Sequence, residues 1–283
     1  MTLSDDLKDY IAKNSKTSTD IAEKHSVAIV GETHAPVGAP DKAAARTKTS
    51  IRLVLELLLD PKYRYYGSEH FLNGAVARKG VRNALRDGTM PPQFDPDKDG
   101  DLPPMEVSKR LLLNRHAPIL DNLRKHPLYV LPIGSTVNGS ARDARIAQHF
   151  LEEMKDRKLT PGIPGVILVG LNHASKTRVT DGQTTRMILE KHAFRCISIC
   201  KMSDFVNDAG EPDDQVVSTD TALDNIQAAD IIRLTTLVSR TPVTVPTDKK
   251  WGDKPSPFRS VTLGQTKTSV AEQYEYVVLD KAA

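Results

Sequence analysis

Two short motifs in this chain each place a histidine three residues after a glycine and directly after a strand-like apolar run. The first is Gly-Glu-Thr-His at residues 31–34, and the second is Gly-Leu-Asn-His at residues 170–173. A neutral imidazole takes a proton from water or binds a metal ion. One histidine after a strand also serves well as a structural hydrogen-bonding residue. Two in matching contexts favour a single site, assembled from distant parts of the chain around His34 and His173.

Two charged residues between these motifs suit the same chemistry. Glu69 ends another strand-like run, where it would orient a histidine, act as a base or bind a metal; its structural alternative is a salt-bridged carboxylate. Arg142 falls in the first turn of a predicted helix, where a cation opposes the helix dipole by ~0.3–1 kcal/mol. A nearby anion would offset that cost, so Arg142 is a candidate for binding a substrate oxygen or a developing oxyanion. Its alternative is an ordinary surface arginine.

The elements that must position these residues alternate along the chain. Runs of apolar residues predict strands, and apolar residues at helical spacing predict helices between them. The predicted strands are 26–31, 63–69, 128–134, 166–171, 194–200 and 274–279, and the main predicted helices are 42–59, 74–87, 105–126, 141–157 and 184–192. This alternation predicts an α/β fold, with a mostly parallel central sheet flanked by helices on both faces. Pro132 predicts an edge position or a bulge for the third strand.

Reactive residue types fall where the predicted strands end. In sheets of this kind, ligands bind outside the carboxyl ends of the strands. We therefore expect four further residues to bind substrate: Glu32, His70, Asn172 and Asp143. Asp143 has an alternative role, because Ser140 with Asp143 fits the Ser-x-x-acid pattern that caps a helix.

An acidic stretch at residues 95–106 matches the calcium-binding loop of an EF-hand. Acids occupy loop positions one, three and five, glycine position six, an aliphatic residue position eight and glutamate position twelve. The candidate Ca²⁺ ligands are Asp95, Asp97, Asp99, Asp101 and Glu106. The prolines at 91–92 break any entering helix, so a solvated acidic loop is the alternative. A bound Ca²⁺ would indicate a calcium-rich setting at some stage.

Composition excludes several classes of protein. The chain has 283 residues, 39% hydrophobic and 27% charged, with a net charge of +3 spread along its length. A nucleic-acid surface would show clustered Lys and Arg, and no apolar run approaches the ~18 residues of a membrane span. We expect a leader helix or tail at 1–25 and one α/β domain at 26–283. An acidic insertion at 88–106 and a loop-rich excursion at 203–260 would interrupt that domain.

The two cysteines indicate the cellular compartment, because a disulfide would require an oxidising environment. Cys196 and Cys200 lie in one predicted strand, where four residues at ~3.3 Å each separate their Cα atoms by about 13 Å. A disulfide requires no more than ~7 Å, so both are predicted to be free thiols. Free thiols and a polar N-terminus without a signal sequence predict a cytoplasmic protein, and secretion without a signal would look the same.

Taken in order, these motifs resemble the erythromycin esterase/ChaN/TraB/Tiki superfamily. The resemblance is carried by Gly-Glu-Thr-His at 31–34, Ser-Glu-His-Phe at 68–71, Arg-Asp at 142–143 followed by Ile-Ala at 146–147, and Gly-Leu-Asn-His at 170–173. It covers about residues 26–200, and the segment from His116 to Leu120 also fits a helix of the family. It implies an EreA/ChaN-like α/β core with His34, Glu69, Arg142 and His173 as the functional set.

The candidate site and this resemblance leave three hypotheses open. The first is a hydrolase of an ester or amide in a small-molecule or peptide substrate, with His34 or His173 as base, either metal-free or with a divalent metal held by His34, Glu69 and His173. The second is a ChaN-like protein that binds haem or another small ligand without turnover, to which the tyrosines at 63, 65 and 66 would contribute. The third is an effector or toxin on the same scaffold.

Overall fold

The fold is built on short, buried and mostly apolar strands, as expected when both faces of a parallel sheet are covered. The computed structural model describes residues 5–17, 20–21, 25–33, 40–73, 116–125, 128–139, 141–177, 182–205, 243–250, 253, 255–259, 261–263 and 268–280. Its strands are β1 (Val27–Glu32), β2 (Tyr65–Leu72), β3 (Tyr129–Gly134), β4 (Gly165–Gly170), β5 (Cys196–Lys201), β6 (Val243–Pro246), β7 (Thr262–Leu263), β8 (Thr268–Ser269) and β9 (Tyr276–Leu279). Every residue of β1 and of β4 is buried.

Within these residues, seven strands form one sheet in the order β3-β2-β4-β1-β5-β9-β6, and β7 pairs with β8 separately. All pairs in the large sheet are parallel except β6 with β9. The predicted mostly parallel α/β sheet is therefore confirmed. So is the edge position that Pro132 predicted, because β3 is the outermost strand and its pairing with β2 is irregular between Ser68 and Leu72.

Helices cover the two faces of the sheet and create two hydrophobic cores. They are α1 (Asp5–Asn14), α2 (Pro40–Leu58), α3 (Ala117–Lys125), α4 (Ala141–Asp156), α5 (Thr185–Lys191) and α6 (Val270–Gln273). Side chains of α2 and α3 pack on one face, and side chains of α4 and α5 pack on the other. We call these the α2 face and the α4 face.

The chain connections define where a ligand is expected. From the neighbouring strands β1 and β4, the chain leaves in opposite directions along the sheet, β1 towards β2 and β4 towards β5. The connecting helices α2 and α5 cross opposite faces. Such a switch point opens a crevice at the carboxyl ends of the strands, and both Gly-x-x-His motifs begin there.

Two segments join the core more closely than the sequence indicated. The leader contains α1, whose Tyr10 is 3% exposed and donates a hydrogen bond from its hydroxyl to the carbonyl of Pro246, 3.0 Å away. Residues 243–246, inside the predicted loop-rich excursion, form the antiparallel edge strand β6.

Several other predictions meet the structure directly. Cys196 and Cys200 are buried and free, as predicted. Tyr63, Tyr65 and Tyr66 are fully buried in the two cores, which corrects the expectation that they line a ligand site. Across the described ranges, no helix combines the length and apolar character needed to cross a membrane.

Candidate active site

Glu69 is the buried carboxylate around which the site on the α4 face gathers. Side chains alternate along a strand, and Glu69 lies four residues after Tyr65, which points into the core under α4. Glu69 is 3% exposed, and its Oε1 accepts the backbone N–H of Gly170 at 2.8 Å. Its Oε2 lies 3.7 Å from Nε2 of His173 and 3.9 Å from Nη2 of Arg142. Residues from β2, β4 and α4 therefore meet at one carboxylate.

His173 is oriented by a second acid. It lies in the 3-10 turn Leu171–Ala174, and its Nδ1 is 2.9 Å from Oδ1 of Asp143. An ionised carboxylate only accepts hydrogen bonds, so Nδ1 carries the proton of the neutral ring. Nε2 then faces Oε2 of Glu69 across 3.7 Å. The imidazole thus lies between two carboxylates, with its basic nitrogen on the side of the buried one.

Asp143 is itself fixed by α5. Its Oδ1 accepts the backbone N–H of Thr185 at 2.5 Å and the Thr185 hydroxyl at 2.8 Å, in addition to the His173 bond. Asp143 was predicted either to cap α4 with Ser140 or to bind substrate. Its recorded bonds run to His173 and Thr185, while Ser140 lies outside the described residues. The structure therefore indicates that Asp143 orients the histidine.

Gly31 of the first motif packs directly against the turn that carries the histidine of the second. A Cβ placed on Gly31 would lie 3.0 Å from Cδ1 of Leu171 and 3.2 Å from its Cα. Real Cβ atoms rarely approach a backbone atom so closely, so a side chain at Gly31 would require the turn that carries His173 to shift by a few tenths of an ångström. The two motifs, separated by more than a hundred residues, are thus one packing unit.

Arg142 lies in the first turn of α4, next to a carboxylate. It is the second residue of α4, where a cation is disfavoured by the helix dipole. The nearby Glu69 carboxylate offsets that cost, although 3.9 Å indicates attraction between charges and not a direct hydrogen bond. The Arg142 side chain is 31% exposed, so its guanidinium can meet a ligand while remaining next to Glu69.

A second carboxylate–imidazole pair lies on the α2 face, also at the carboxyl ends of the strands. Oε1 of Glu32 is 2.7 Å from Nε2 of His70. Glu32 ends β1 and His70 lies two residues before the end of β2, on either side of β4, and Gly170, at that level of β4, has no side chain to separate them. The ring of His116 packs 5.2 Å from that of His70, and His116 is fully buried.

On the same face, a buried ion pair between Lys201 and Asp204 binds the backbone at the start of the loop between β1 and α2. The backbone N–H of Thr33 donates to Oδ1 of Asp204 at 3.2 Å. Nζ of Lys201 lies 3.0 Å from the same oxygen and donates to the Ser50 hydroxyl at 2.6 Å. Burial disfavours the charged ammonium, but Asp204, then Glu32 and Asp280, outweigh it, so the pKa of Lys201 is raised.

The structure brings together part of the predicted site. Glu69, Arg142, Asp143 and His173 are in contact, and Asn172 is exposed on the same turn as His173. Glu32 and His70 are paired on the other face. His34 lies outside the described residues, as do the five acids of the calcium loop, so their roles stay predictions. In the described part of the chain, no group of three or more His, Cys, Asp or Glu side chains is arranged to hold a metal ion.

Sequence reasoning missed Thr185, His116 and the Lys201–Asp204 pair. A threonine at a helix start carries no catalytic signal of its own. His116 was noted only as part of a helix. The Lys-x-x-Asp spacing from 201 to 204 could have suggested a local ion pair, but nothing in the sequence marks that pair as buried.

Comparison with known proteins yields structural likenesses alone. No family model matches the chain, and no curated protein sequence matches it. The chain is similar to RRSP, a MARTX toxin effector domain from Vibrio vulnificus CMCP6, at 14% identity and a TM-score of 0.35. That match covers 69% of this chain, which spans 38% of the toxin domain.

The chain is also similar to a mutant of the erythromycin esterase EreC in its open conformation. The identity is 11% and the TM-score 0.36, over 92% of this chain and 91% of the esterase. At these identities neither likeness assigns a substrate, and the α/β architecture rests on the sheet topology itself.

Proposed function

We propose that this protein is a hydrolase of an ester or amide bond in a small-molecule or peptide substrate. The observation that carries the proposal is the Asp143–His173–Glu69 arrangement. Asp143 holds the proton on Nδ1, and Nε2 faces a buried carboxylate 3.7 Å away. An imidazole held in this way is suited to accept a proton from water, because its basic nitrogen and its orientation are both fixed.

The reaction assigned to this geometry is general-base hydrolysis. His173 Nε2 takes a proton from water as the water oxygen attacks the carbonyl carbon, and the imidazolium formed is stabilised by Asp143 on one side and Glu69 on the other. Arg142 would neutralise the developing oxyanion, a role in which fixed charge is effective because it needs no reorganisation. Proton transfer from the imidazolium to the leaving alcohol or amine completes the bond cleavage.

His34 is proposed as the second imidazole of the site, since it follows β1, the strand next to β4. In the metal-assisted alternative, His34, Glu69 and His173 would hold a divalent ion, which would polarise the carbonyl and activate the water. The two routes share their residues and differ in their response to chelation.

The test is a hydrolysis assay of the full chain on chromogenic esters and anilides. We expect His173→Gln to lower kcat/KM by at least about a hundredfold, the usual contribution of a general acid or base. Glu69→Gln should also lower kcat/KM, because it removes a charge that stabilises the imidazolium. His192→Gln is the matched control, because His192 is exposed at the end of α5. Hydrolysis by the His173→Gln variant at the wild-type rate would refute the proposal.

A parallel assay after exhaustive chelation separates the two routes. Activity that survives chelation supports the metal-free base, and activity lost on chelation and restored by one divalent metal supports the alternative.

A further inference from the structure

Thr185 makes contacts that the formation of its own helix does not require. It is the first residue of α5 and is fully buried. Its hydroxyl and its backbone N–H both reach Oδ1 of Asp143, at 2.8 Å and 2.5 Å. The preceding residue, Thr184, already caps the helix, because its hydroxyl accepts the N–H of Met187 at 3.2 Å. The Thr185 hydroxyl is thus available for another purpose.

The geometry around Asp143 shows what that purpose is. A carboxylate has only lone pairs to offer, so the hydroxyl of Thr185 must donate to it. Three donors converge on one oxygen: this hydroxyl, the Thr185 N–H and Nδ1 of His173. Asp143 is 19% exposed, so water would compete for this oxygen if the carboxylate turned. Two donors from one buried residue hold it in the orientation that His173 requires.

We propose that Thr185 is a positioning residue, whose hydroxyl fixes the Asp143 carboxylate and thereby holds His173 in the Nδ1–H tautomer with Nε2 facing Glu69. The kinetic consequence of this role rests on the proposed hydrolase function. The structural consequence, a single tautomer of His173, is independent of that function. The two can therefore be tested separately.

Three variants isolate the hydroxyl. Thr185→Val keeps the shape and the backbone donor but removes the hydroxyl, and Thr185→Ser restores it. Thr184→Val is the matched control, since it deletes a buried hydroxyl one residue away that accepts the Met187 N–H and donates to the Ser175 carbonyl, but makes no bond to Asp143. Thermal unfolding of all three shows which variants are folded and how far each is destabilised.

The first readout is the ¹⁵N spectrum of the histidine rings, recorded at about pH 8, where an ordinary imidazole is neutral. The His173 signals are assigned by their loss in His173→Gln. We expect one Nδ1–H tautomer in the wild type, in Thr185→Ser and in Thr184→Val, and a mixture of tautomers in Thr185→Val. Thr184→Val should lower Tm without changing the tautomer.

The second readout is kinetic. We expect Thr185→Val to lower kcat by about tenfold, the effect of losing one hydrogen bond to a charged group, with KM changed less than about twofold, and Thr185→Ser to recover most of kcat. An unchanged His173 spectrum in Thr185→Val would overturn the positioning role, whatever the activity. A mixed tautomer in a protein that hydrolyses no substrate would uphold the positioning role and refute the proposed function.

Discussion

Two carboxylate–imidazole clusters lie at the carboxyl ends of the strands, on opposite faces of the sheet, and the exposed fractions of their side chains differ. On the α4 face, the side chains of His173, Asp143 and Arg142 are 16%, 19% and 31% exposed. On the α2 face, the side chains of His70 and Glu32 are 11% and 3% exposed.

The surroundings of the two histidines differ as well. His173 is held by Asp143 at Nδ1, which leaves its other nitrogen directed towards Glu69. His70 uses Nε2 for Glu32, and its ring packs against that of the fully buried His116. The same residue types after parallel strands therefore give an imidazole oriented by a second carboxylate on one face and an imidazole packed against another ring on the other. The third partner, and not the motif alone, distinguishes the two imidazoles.

The largest expected effect tests this contrast directly. We expect His173→Gln to lower kcat/KM by about a thousandfold, within the range for loss of a general base. His70→Gln, which keeps a polar side chain next to Glu32, should change kcat/KM by less than about tenfold while lowering Tm. Steady-state kinetics and thermal unfolding of the two variants, side by side, measure both effects. A greater loss of activity from His70→Gln than from His173→Gln would reverse the assignment of the two faces.

The next effect concerns stability on the α2 face. Lys201→Met would leave the Asp204 carboxylate, which is fully buried, without the ammonium 3.0 Å away. Removing one partner of a buried ion pair costs about 3–5 kcal/mol of the free energy of unfolding. Urea unfolding measures it. Adding Asp204→Asn to Lys201→Met removes the second charge and keeps an acceptor for the Thr33 N–H, so we expect most of the stability to return. Equal stability of Lys201→Met and wild type would contradict a structural role for this pair.

A third prediction concerns how the free energy of unfolding responds to acid. His25 is 3% exposed and its Nε2 lies 2.9 Å from the Tyr63 hydroxyl. Burial, above all other causes, lowers its pKa to about 4. The unfolded chain therefore binds a proton at this residue first, near pH 6.5, and the folded chain only near pH 4.

His25 thus makes the free energy of unfolding fall as the pH drops from about 6.5 to about 4, by roughly 3 kcal/mol in total at about 1.4 kcal/mol per pH unit. His25→Gln keeps a polar partner for Tyr63 but does not titrate, so its unfolding free energy should be flatter across this window. Urea unfolding at half-unit pH steps measures the slope. Identical slopes in the variant and the wild type would show that another group governs acid stability.

The sequence was informative where a local pattern has a local cause. Apolar runs that alternate with segments of helical periodicity predicted the parallel sheet. Pro132 predicted the edge position of β3, because proline has no N–H to donate to a strand ladder. The strand β6 was missed because four residues ending in Pro246 carry little periodicity. It is recognisable only once β9 offers a partner edge.

The site was predictable in its residue types but not in its pairings. Glu69 and Arg142 were chosen for position and charge, and they do meet. The pairing of Glu32 with His70 depends on the strand order, which places β4 and the side chain-free Gly170 between them. The role of Thr185 depends on α5 packing beside α4. Sheet order and helix packing are long-range outcomes, so a single sequence does not encode them in any one motif.

The smallest effect sharpens the role of Arg142. At 3.9 Å from Glu69, its guanidinium acts there through charge and not through a paired hydrogen bond. If the same holds towards the substrate, Arg142→Lys should retain most of the wild-type kcat. Arg142→Met should lose about tenfold, or ~1.4 kcal/mol, since a charge–charge contact at about 4 Å is worth ~1 kcal/mol in water and ~4 kcal/mol near a protein surface. A loss in Arg142→Lys as large as in Arg142→Met would indicate instead that the planar, forked geometry binds the substrate, which only arginine provides. Comparing kcat and KM for the two variants on one ester decides between charge and geometry. It also shows whether the α4 face stabilises an oxyanion or recognises a group on the substrate.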